Sequence, residues 1–508
     1  MNVYLLFFIA LIPIIWLMVS LGALKMPGHV TCPATLLLTI ILALFVWKMP
    51  LGGALTAALE GMALALWPII FVIVAAVFTY NLSLYTKSMD VIKKMMIGIT
   101  TDKRIQVLIL AWGFGGFLEA IAGFGTAVAI PASILAALGF DPIFAAVICL
   151  IANTTPTAFG AIGIPVTTLA KVANLDVHQL SYAVGIQLAV LIVIVPIILV
   201  MLTGKSVKSI KGVFAIALVS GLSFAIPEVL AAKYIGAELP AILGSIVCMG
   251  ATIFMAKVFY KKTAAKDAEK ISLHDGVLAW LPFILVFVFV MASSTLFPTI
   301  NKTLSQVATA VNIYSGPGAK PYTFVWLSTP GTLIVLATFL GGLIQGAKFG
   351  EIAGVLWKTV KQMSLSAITI ISIVALAKVM GYSGMIKSIA IVLVAITGSY
   401  YPLIAPIIGA LGTFVTGSDT SANVLFGGLQ AQVATNLHLS PYWLAAANTG
   451  GATAGKMISP QSIAIATAAT GLSGSEGKIL NQTVKFCIPY VVILGLIAYF
   501  AGPLFGFK

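Results

Sequence analysis

Charged residues are rare in this sequence. Asp, Glu, Lys and Arg make up 8% of the 508 residues, whereas about 25% of the residues are charged in an ordinary soluble protein. Hydrophobic residues make up 60%. Because so few charges cannot cover the surface of a soluble protein of this length, the composition excludes a water-soluble globular protein and predicts that lipid surrounds most of the surface.

Cysteine and histidine are also scarce. The four cysteines form no CxxC pair, which argues against a disulfide scaffold and against a zinc module. The four histidines show no metal-ligand spacing, and the sequence contains neither a nucleophile elbow nor a phosphate-binding loop. We therefore expect no metal, no cofactor and no enzymatic activity.

The net charge of +14 comes from lysines between apolar runs and from one arginine, Arg104. Basic residues in such loops follow the positive-inside rule, which explains the charge without nucleic acid as a partner. The segments 81–104, 203–211 and 257–275 are rich in lysine and are predicted to be cytoplasmic. The segment 299–323 contains two lysines and is predicted to lie outside.

Apolar runs of about 20 residues, the length that crosses a bilayer, recur along the chain. We predict an all-α integral membrane protein, polytopic, with about 12 to 14 crossings or part-crossings. Residues 1–21 are predicted to be the first span rather than a cleaved signal, because they lack a basic start and a small-residue cleavage site. In the segments 120–175 and 384–472, Gly, Pro, Ser, Thr and Asn interrupt the apolar pattern, so spans cannot simply be counted there.

Matching residues recur in the two halves of the chain at an offset of 295 positions, for example from 153 to 448. Because Asn and Pro are uncommon in membrane spans, their repetition at one offset indicates an internal duplication, which is frequent in transporters. The window 81–104 contains five basic residues and its partner window 376–399 contains two, which favours opposite orientations in the membrane. The repeated pairs include Asn153 and Asn448, Thr154 and Thr449, Gly160 and Gly455, and Pro165 and Pro460.

The repetition divides the chain into three predicted parts. Residues 1–200 form an N-terminal membrane half, in which repeat 1 covers about 30–200. Residues 203–323 form connecting spans with the cytoplasmic loop 257–275. Residues 324–508 form a C-terminal membrane half, which is repeat 2. We predict that the two repeats have inverted topology and contain interrupted helices.

Each half contains an apolar run that is broken by small and polar residues. Glycines in the first half let the backbone leave helical geometry, and Ser and Asp in the second half are preferred N-caps of a helix that restarts. Such breaks persist in a membrane only inside protein or beside a watery cavity, and a helix N-terminus there can bind an anion. A kink or close helix packing would explain one break, whereas two corresponding breaks favour a binding site. The candidate residues are Gly123, Gly125, Thr126, Ser418, Asp419, Thr420 and Ser421.

A second pair of candidate breaks lies at 153–160 and 448–461. Their Asn and Thr side chains offer donors and acceptors, which suit a carboxylate or a hydroxyl ligand. The alternative is that these side chains join neighbouring helices by hydrogen bonds. The candidate substrate-binding residues are Asn153, Thr154, Asn448, Thr449, Lys456, Ser459 and Gln461.

Glu119, Asp419 and Lys456 are ionisable residues within these apolar segments, where such residues are functional candidates. We expect Lys456 to reach the carboxylate of a substrate or to pair with Asp419. Both Glu119 and Asp419 are candidates for proton coupling. Because a lysine partner would keep Asp419 ionised, whereas Glu119 has only apolar neighbours in sequence, we favour Glu119 as the proton carrier and Asp419 as a binding or gating residue. Glu60 and Asp141 lie near segment ends and are weaker candidates.

Four long motifs carry a resemblance to a known family. In these motifs the sequence resembles the L-lactate permease family of bacteria, which includes glycolate permeases. The resemblance extends from near residue 20 to the C-terminus. The resemblance implies a multi-pass symporter of the cytoplasmic (inner) membrane that imports lactate, glycolate and related 2-hydroxymonocarboxylates together with protons. It implies no set of site residues. The motifs are GFGTAVAIPASILAALGFDP, NTTPTAFGAIGIPV, TGSDTSANVLFGGLQ and NTGGATAGKMISPQSIAIA.

Two other kinds of transport protein stay open. A sodium-coupled carboxylate symporter would also use Asn, Thr and backbone carbonyls at helix breaks. An anion channel is less favoured, and it would show neither saturation nor uphill accumulation. The expected partners are lactate or glycolate, protons and the lipid bilayer. The sequence does not decide the chirality preference, the ion stoichiometry or whether the protein forms a homo-oligomer.

Overall fold

The computed structural model of the protein consists of helices and one short β-hairpin. Residues 261–270, which form most of the predicted cytoplasmic loop 257–275, lie outside the described residues. The structure describes residues 2–20, 24, 26–97, 99–121, 123, 125–260, 271–293, 297–472 and 475–507.

The helices of the N-terminal half follow one another through short connections. Segments of π-helix at Ala65–Ile70 and Leu108–Phe114 and a 3-10 segment at Thr155–Phe159 join some of them. The α-helices are α1 (Val3–Met18), α2 (Gly28–Phe45), α3 (Leu51–Leu64), α4 (Phe71–Tyr85), α5 (Ser88–Ile97), α6 (Lys103–Val107), α7 (Gly115–Ile121), α8 (Thr126–Ala137), α9 (Pro142–Ala152), α10 (Gly160–Ala173) and α11 (Val177–Thr203).

The connecting region and the C-terminal half complete the chain. Short 3-10 segments lie at Val207–Ile210, Gly398–Tyr400 and Gly502–Phe505. The connecting region contains α12 (Phe214–Tyr234), α13 (Pro240–Phe259), α14 (Leu273–Ala292), α15 (Pro298–Ser305), β1 (Ala308–Val311) and β2 (Tyr322–Val325). The C-terminal half contains α16 (Pro330–Ile344), α17 (Phe349–Ser383), α18 (Met385–Thr397), α19 (Tyr401–Thr416), α20 (Asp419–Asn436), α21 (Pro441–Lys456), α22 (Pro460–Thr470) and α23 (Glu476–Phe500).

Within the described residues, ten helical segments are long and apolar enough to cross a membrane. The pair Pro142–Ala152 and Thr155–Ala173 passes the same test together but is bent by 52°. Shorter apolar helices at Val3–Leu17, Thr126–Ala137 and Pro330–Ile344 have the length of part-crossings. The prediction of a polytopic, all-α membrane protein is therefore confirmed, and the bent pair and the shorter helices bring the crossings and part-crossings into the predicted range.

Some of the few acidic residues cap helices at their ends. The Asp141 carboxylate accepts a hydrogen bond from the backbone N–H of Phe144 at 2.8 Å. The Asp176 carboxylate accepts one from the backbone N–H of Gln179 at 2.9 Å. Such N-caps satisfy backbone donors that a helix leaves unpaired. The structure thus gives Asp141 a role at the start of α9 that needs no part in transport.

The order of the helices recurs between the two halves at the offset seen in the sequence. The segment Leu51–Tyr85 and the helix α17 are both 35 residues long, but the first is broken at Trp67, beside a proline that cannot donate a backbone hydrogen bond. The recurrence supports a duplication, whereas the inverted orientation of the repeats and the three domain boundaries stay predictions. In this correspondence α2 matches α16, Leu51–Tyr85 matches α17, α5 matches α18, α7 matches α19, α8 matches α20, α9 matches α21, α10 matches α22 and α11 matches α23.

A β-hairpin lies mostly within the segment 299–323, which is predicted to lie outside the membrane. Strands β1 and β2 pair antiparallel, from Ala308 opposite Val325 to Val311 opposite Tyr322. The β-branched and aromatic residues of these strands favour extended backbone. The Trp67 indole N–H donates to the Val325 carbonyl at 2.9 Å, so the hairpin packs on the break between α3 and α4.

Helices α19 and α21 approach each other so closely that their backbones touch. A Cβ atom at Gly409 would lie 1.9 Å from the carbonyl oxygen of Asn448, and one at Gly451 would lie 1.9 Å from that of Pro406. Any larger residue would therefore push the helices apart. This contact fixes the position of α21 and of Lys456 at its C-terminal end.

We expect Gly451→Ala to lower the stability by about 1–3 kcal/mol, because the added methyl group overlaps the Pro406 carbonyl. Gly354→Ala is the matched control, because a Cβ atom there meets nothing within 4 Å on another helix. Thermal unfolding in detergent would measure the difference. Equal melting temperatures for the two variants would show that the helices do not make this close approach.

Candidate substrate-binding cavity

A cavity of about 380 Å³ lies where the broken helices of the two halves meet. This volume is at the lower end of the range of small-molecule sites, about 300–1,000 Å³. The two predicted breaks, at 123–126 and at 418–421, therefore lie on one site rather than on distant faces. Of the predicted residues, those that line the cavity are Glu119, Gly123, Gly125, Ser418, Asp419, Thr420, Ser421, Lys456 and Gln461.

The first break separates α7 from α8. Gly123 and Gly125 have φ angles of +61° and +85°, which L-residues with side chains rarely adopt. A Cβ atom at Gly125 would also lie 2.5 Å from the Ile465 side chain. The Thr126 hydroxyl donates to the Gly123 carbonyl at 2.8 Å and so closes the turn instead of lining the cavity. The glycines are therefore required by the backbone, as the sequence indicated.

The second break separates α19 from α20. Gly417 ends α19 with a φ of +72°, and Ser418 is the N-cap of α20, where its hydroxyl accepts from the backbone N–H of Ser421 at 3.3 Å. A Cβ atom at Gly417 would lie 1.9 Å from Oε1 of Gln461. The absence of a side chain at Gly417 therefore makes room for the Gln461 carboxamide at the start of α20.

The first turn of α10 is also irregular. Ala161 and Ile162 have φ angles of +44° and +60°, in the left-handed region that non-glycine residues seldom occupy. Backbone strain of this kind is concentrated at functional sites. Just before it, a Cβ atom at Gly160 would lie 2.8 Å from Oε1 of Glu119. The bare backbone at Gly160 thus leaves space for the Glu119 carboxylate.

The N-termini of three helices face this cavity. Gly125 at the start of α8, Ser418 at the start of α20, and Pro460 and Gln461 at the start of α22 all belong to its lining. The N-terminus of a helix carries the positive end of its dipole and backbone N–H groups without partners inside the helix. Three such termini at one cavity favour an anionic ligand.

A buried ion pair joins the two halves at the cavity. Lys456 Nζ lies 2.9 Å from Oε1 of Glu119, and the exposed fractions of the two side chains are 13% and 2%. The pairing of Lys456 with Asp419, one of two alternatives expected from the sequence, is not formed. The reason is that the ends of α7 and α21 converge in space, so Glu119 has a basic neighbour that its sequence neighbours did not reveal.

Asp419 lines the cavity but is almost fully buried, with 2% of its area exposed. Its carboxylate oxygens accept from the Thr449 hydroxyl at 3.1 and 3.2 Å. The Asn423 amide donates to Thr449 at 2.8 Å, and the Asn448 amide donates to Asn423 at 3.0 Å. Asn448 and Thr449 therefore belong to a hydrogen-bond network between α20 and α21 that holds Asp419 in place.

Six predicted residues do not line the cavity. Asn153 donates weakly to Thr157 at 3.5 Å, and the Thr154 hydroxyl donates to the Ile151 carbonyl at 2.8 Å. Ser459 accepts from the backbone N–H of Ser462 and so caps the start of α22. Contact of these residues with a substrate stays a prediction. They are Thr126, Asn153, Thr154, Asn448, Thr449 and Ser459.

Other lining residues were not predicted as site residues. Thr157 and Gly160 lay within a motif whose other residues were selected, so the signal was present. Those on α17 lie in an uninterrupted helix, and a continuous apolar helix gives no sign of a site. The lining on α17 consists of Ser366, Thr369, Ile370 and Ile373, and Phe414 and Ile465 add further apolar surface.

A second buried ion pair lies away from the cavity. Oε1 of Glu60 lies 2.8 Å from Lys378 Nζ and accepts from the Tyr382 hydroxyl at 2.8 Å, and the Tyr314 ring stacks on Tyr382 with 3.8 Å between centroids. Glu60 thus has a partner that is 318 positions away in the sequence. Among the residues that the structure describes, no group of three His, Cys, Asp or Glu side chains could hold a metal ion.

The fold is similar to that of a solved transporter. The structure of Neisseria gonorrhoeae MtrF, reported as illuminating a class of antimetabolite efflux pumps, aligns with 94% of this chain and 96% of its own, with a TM-score of 0.51. The two sequences are 13% identical. At this identity the similarity concerns the fold alone.

Sequence comparison gives a closer relationship. The L-lactate permease of Streptococcus iniae is 56% identical over 86% of this chain and 93% of its own length. The glycolate permease GlcA of Escherichia coli K12 is 38% identical, and the L-lactate permease of that strain is 36% identical, each over 98% of this chain and 96% of its own length. A family model described as L-lactate permease matches residues 6–505. The chain therefore belongs to the L-lactate permease family.

Proposed function

We propose that this protein is a secondary active transporter that imports lactate, glycolate and related 2-hydroxymonocarboxylates by proton symport. Membership of the family makes it a transporter rather than an enzyme, and its apolar helices make it a multi-pass protein of the bacterial cytoplasmic membrane. The names of its relatives support lactate and glycolate as substrates. The observation that carries the proposal is the cavity in which Lys456 and three helix N-termini face one small volume.

The substrate carboxylate binds where positive charge is concentrated. Lys456 can donate to it, and the N-termini of α20 and α22 add N–H groups and dipoles of the same sign. A charge-assisted hydrogen bond is about twice as strong as a neutral one. Ser418 and Thr420 supply neutral donors beside these termini. The site therefore recognises an anion without needing a metal ion.

The methyl and 2-hydroxyl groups of the substrate contact other parts of the cavity lining. Ile370, Ile373 and Phe414 form an apolar wall that suits the methyl group of lactate. The Gln461 carboxamide, held over Gly417, can exchange hydrogen bonds with the 2-hydroxyl group. Glycolate lacks the methyl group but keeps both polar groups, so the same cavity accepts it with less apolar contact.

Glu119 and the substrate carboxylate compete for Lys456, and this competition couples proton uptake to substrate binding. In the structure Lys456 is paired with Glu119. When the substrate carboxylate binds Lys456 instead, the ionised Glu119 carboxylate stays buried without a positively charged partner. This arrangement costs free energy. Uptake of a proton by Glu119 removes that cost. The charge of the Lys456–Glu119 pair is then balanced both with and without bound substrate, and one proton accompanies each monocarboxylate.

We expect Lys456→Met to weaken lactate binding about ten- to a hundred-fold, because the charged hydrogen bond is lost. The single variant also leaves Glu119 buried and unpaired, which can destabilise the protein by about 3–5 kcal/mol. The double variant Lys456→Met/Glu119→Gln removes this cost and serves as the control for folding. Lactate binding by calorimetry in detergent would measure the effect, and unchanged affinity in the double variant would contradict the role of Lys456.

We expect Glu119→Gln to abolish uphill lactate accumulation driven by a pH gradient while lactate–lactate exchange continues, because Gln mimics the protonated acid. Lactate affinity should fall with rising pH in the unmodified protein, since binding takes up a proton, and should not vary with pH in the variant. Uptake of labelled L-lactate into proteoliposomes measures both activities. Accumulation of lactate by Glu119→Gln under a pH gradient would show that another group carries the proton. Accumulation driven only by a sodium gradient would identify a sodium symporter.

We expect Gln461→Leu to weaken L-lactate binding about three- to ten-fold, because one hydrogen bond to the 2-hydroxyl group is lost. Propionate, which has no hydroxyl group, should compete equally well in both proteins. Gln432→Leu is the matched control, because Gln432 lies on α20, bonds Asn436 and does not line the cavity. Competition against labelled L-lactate would measure these affinities. An equal loss of affinity for propionate would show that Gln461 does not bind the 2-hydroxyl group.

A further inference from the structure

The β-hairpin connects helices of both halves of the chain, and the proposed transport cycle does not use it. We call its two strands and the loop between them, residues 308–325, the strap. Strand β1 is exposed along its whole length, so it does not belong to the hydrophobic core. The strap contacts α3, the break that follows α3, and the C-terminal part of α17.

Hydrogen bonds join the strap to α3 and to the break. The hydroxyl oxygens of Ser315 and Thr56 lie 3.1 Å apart, and the backbone N–H of Ser315 donates to the Thr56 hydroxyl at 3.3 Å. At the break, the Tyr322 hydroxyl donates to the Trp67 carbonyl, and the Trp67 indole donates to the Val325 carbonyl. The strap is therefore attached to the broken span at two separate levels.

An aromatic contact joins the strap to α17. The Tyr314 ring stacks on the Tyr382 ring, with 3.8 Å between the centroids and 13° between the planes. Tyr314 is 3% exposed, whereas the next residue, Ser315, is exposed. The loop of the strap therefore inserts one aromatic ring between itself and the end of α17.

The ring of Tyr314 covers the second buried ion pair. Lys378 Nζ and the Tyr382 hydroxyl both donate to Oε1 of Glu60, each at 2.8 Å. The other carboxylate oxygen of Glu60, Oε2, is buried and has no hydrogen-bond partner among the described residues. A buried acceptor without a partner costs free energy, which contact with water would remove.

Two arrangements of the strap therefore have opposing advantages. The docked strap keeps the stack of Tyr314 on Tyr382 and excludes water, but it leaves Oε2 of Glu60 without a protein partner. A lifted strap loses the stack and the hydrogen bonds, but it lets water bind Glu60. Water also weakens the attraction between Glu60 and Lys378, because charges attract each other less strongly at a high dielectric constant. Such a balance is typical of an element with two states.

Helix α17 connects this ion pair with the cavity. Ile373 lines the cavity, and Lys378 follows it by five residues on the same continuous helix, a rise of about 7.5 Å. Between these two levels, a Cβ atom at Gly61 would lie 2.4 Å from the Cα atom of Ala375, so the backbones of α3 and α17 touch. The ion pair therefore holds α17 against α3 next to the cavity wall.

We propose that the strap is a gate that must lift during transport. While it is docked, the stack on Tyr382 and the covered ion pair hold α17, and with it the cavity wall, against α3. When it lifts, water reaches Glu60 and Lys378, their attraction weakens, and α17 becomes free to move relative to α3. This inference rests on the proposed transport of lactate and adds a conformational step to it.

The test ties the strap to α3 by a disulfide bond in the variant Thr56→Cys/Ser315→Cys. The native hydroxyl oxygens lie 3.1 Å apart, so cysteines at these positions are close enough to bond. Oxidation should lower lactate–lactate exchange in proteoliposomes at least about ten-fold, and a reducing agent should restore it, because a tied strap cannot lift. Lactate binding in detergent should stay within about two-fold, because neither residue lines the cavity.

Ser305→Cys/Ser328→Cys is the matched control. The hydroxyl oxygens of Ser305 and Ser328 lie 3.0 Å apart, and a disulfide there closes the base of the strap without tying it to α3. Exchange by this variant should be the same under oxidising and reducing conditions. The four native cysteines are buried, and the single variants Thr56→Cys and Ser315→Cys reveal any effect of the oxidant alone.

Three results would overturn the inference. The first is undiminished exchange by the oxidised Thr56→Cys/Ser315→Cys variant. The second is failure of this pair to form a disulfide, because the strap would then not lie on α3. The third is loss of lactate binding together with exchange, which would indicate a distorted cavity. Exchange is measured at equal pH on both sides, so the outcome does not depend on proton symport. Absence of exchange in the unmodified protein would instead overturn the proposed function.

Discussion

A lysine buried in an apolar protein needs an anionic partner, and this requirement organises the cavity. Lys456 meets it through Glu119, which belongs to the opposite half of the chain. The pair therefore holds together two helix ends that would otherwise be separate. An anion of the right size can take the place of Glu119 at little electrostatic cost, provided that Glu119 is neutralised. The same constraint thus positions the cavity and is the physical basis of the proposed anionic ligand.

The broken helices depend on small residues in a way that differs from one position to the next. Gly125 and Gly417 have a left-handed backbone and also leave room for a neighbouring side chain, whereas Gly160 and Gly451 are needed only because another group occupies the space of a side chain. Each of these glycines brings a backbone or a functional group closer to the cavity. The polar network around Asn423 then satisfies the groups that the breaks leave buried.

The sequence revealed the parts of the site that depend on local chemistry. Gly123 and Ser418 mark breaks because their residue types favour such backbone, and Lys456 stands out in an apolar run. The partners of these residues were not accessible, because the pairing of Lys456 with Glu119 spans 337 positions and depends on how the helices pack. For the same reason the sequence offered no sign of the cavity wall on α17 or of the ion pair between Glu60 and Lys378.

The length of α17 has a mechanical consequence. A continuous helix of 35 residues is about 52 Å long, whereas the hydrocarbon core of a bilayer is about 30 Å thick. The first turns carry Glu351, Lys358 and Lys361, and charged side chains favour the polar interface of the bilayer over its hydrocarbon core. In the same helix, Ser366 to Ile373 form a wall of the cavity. Because one continuous helix joins the charged end to this wall, any tilt of the helix would move both together.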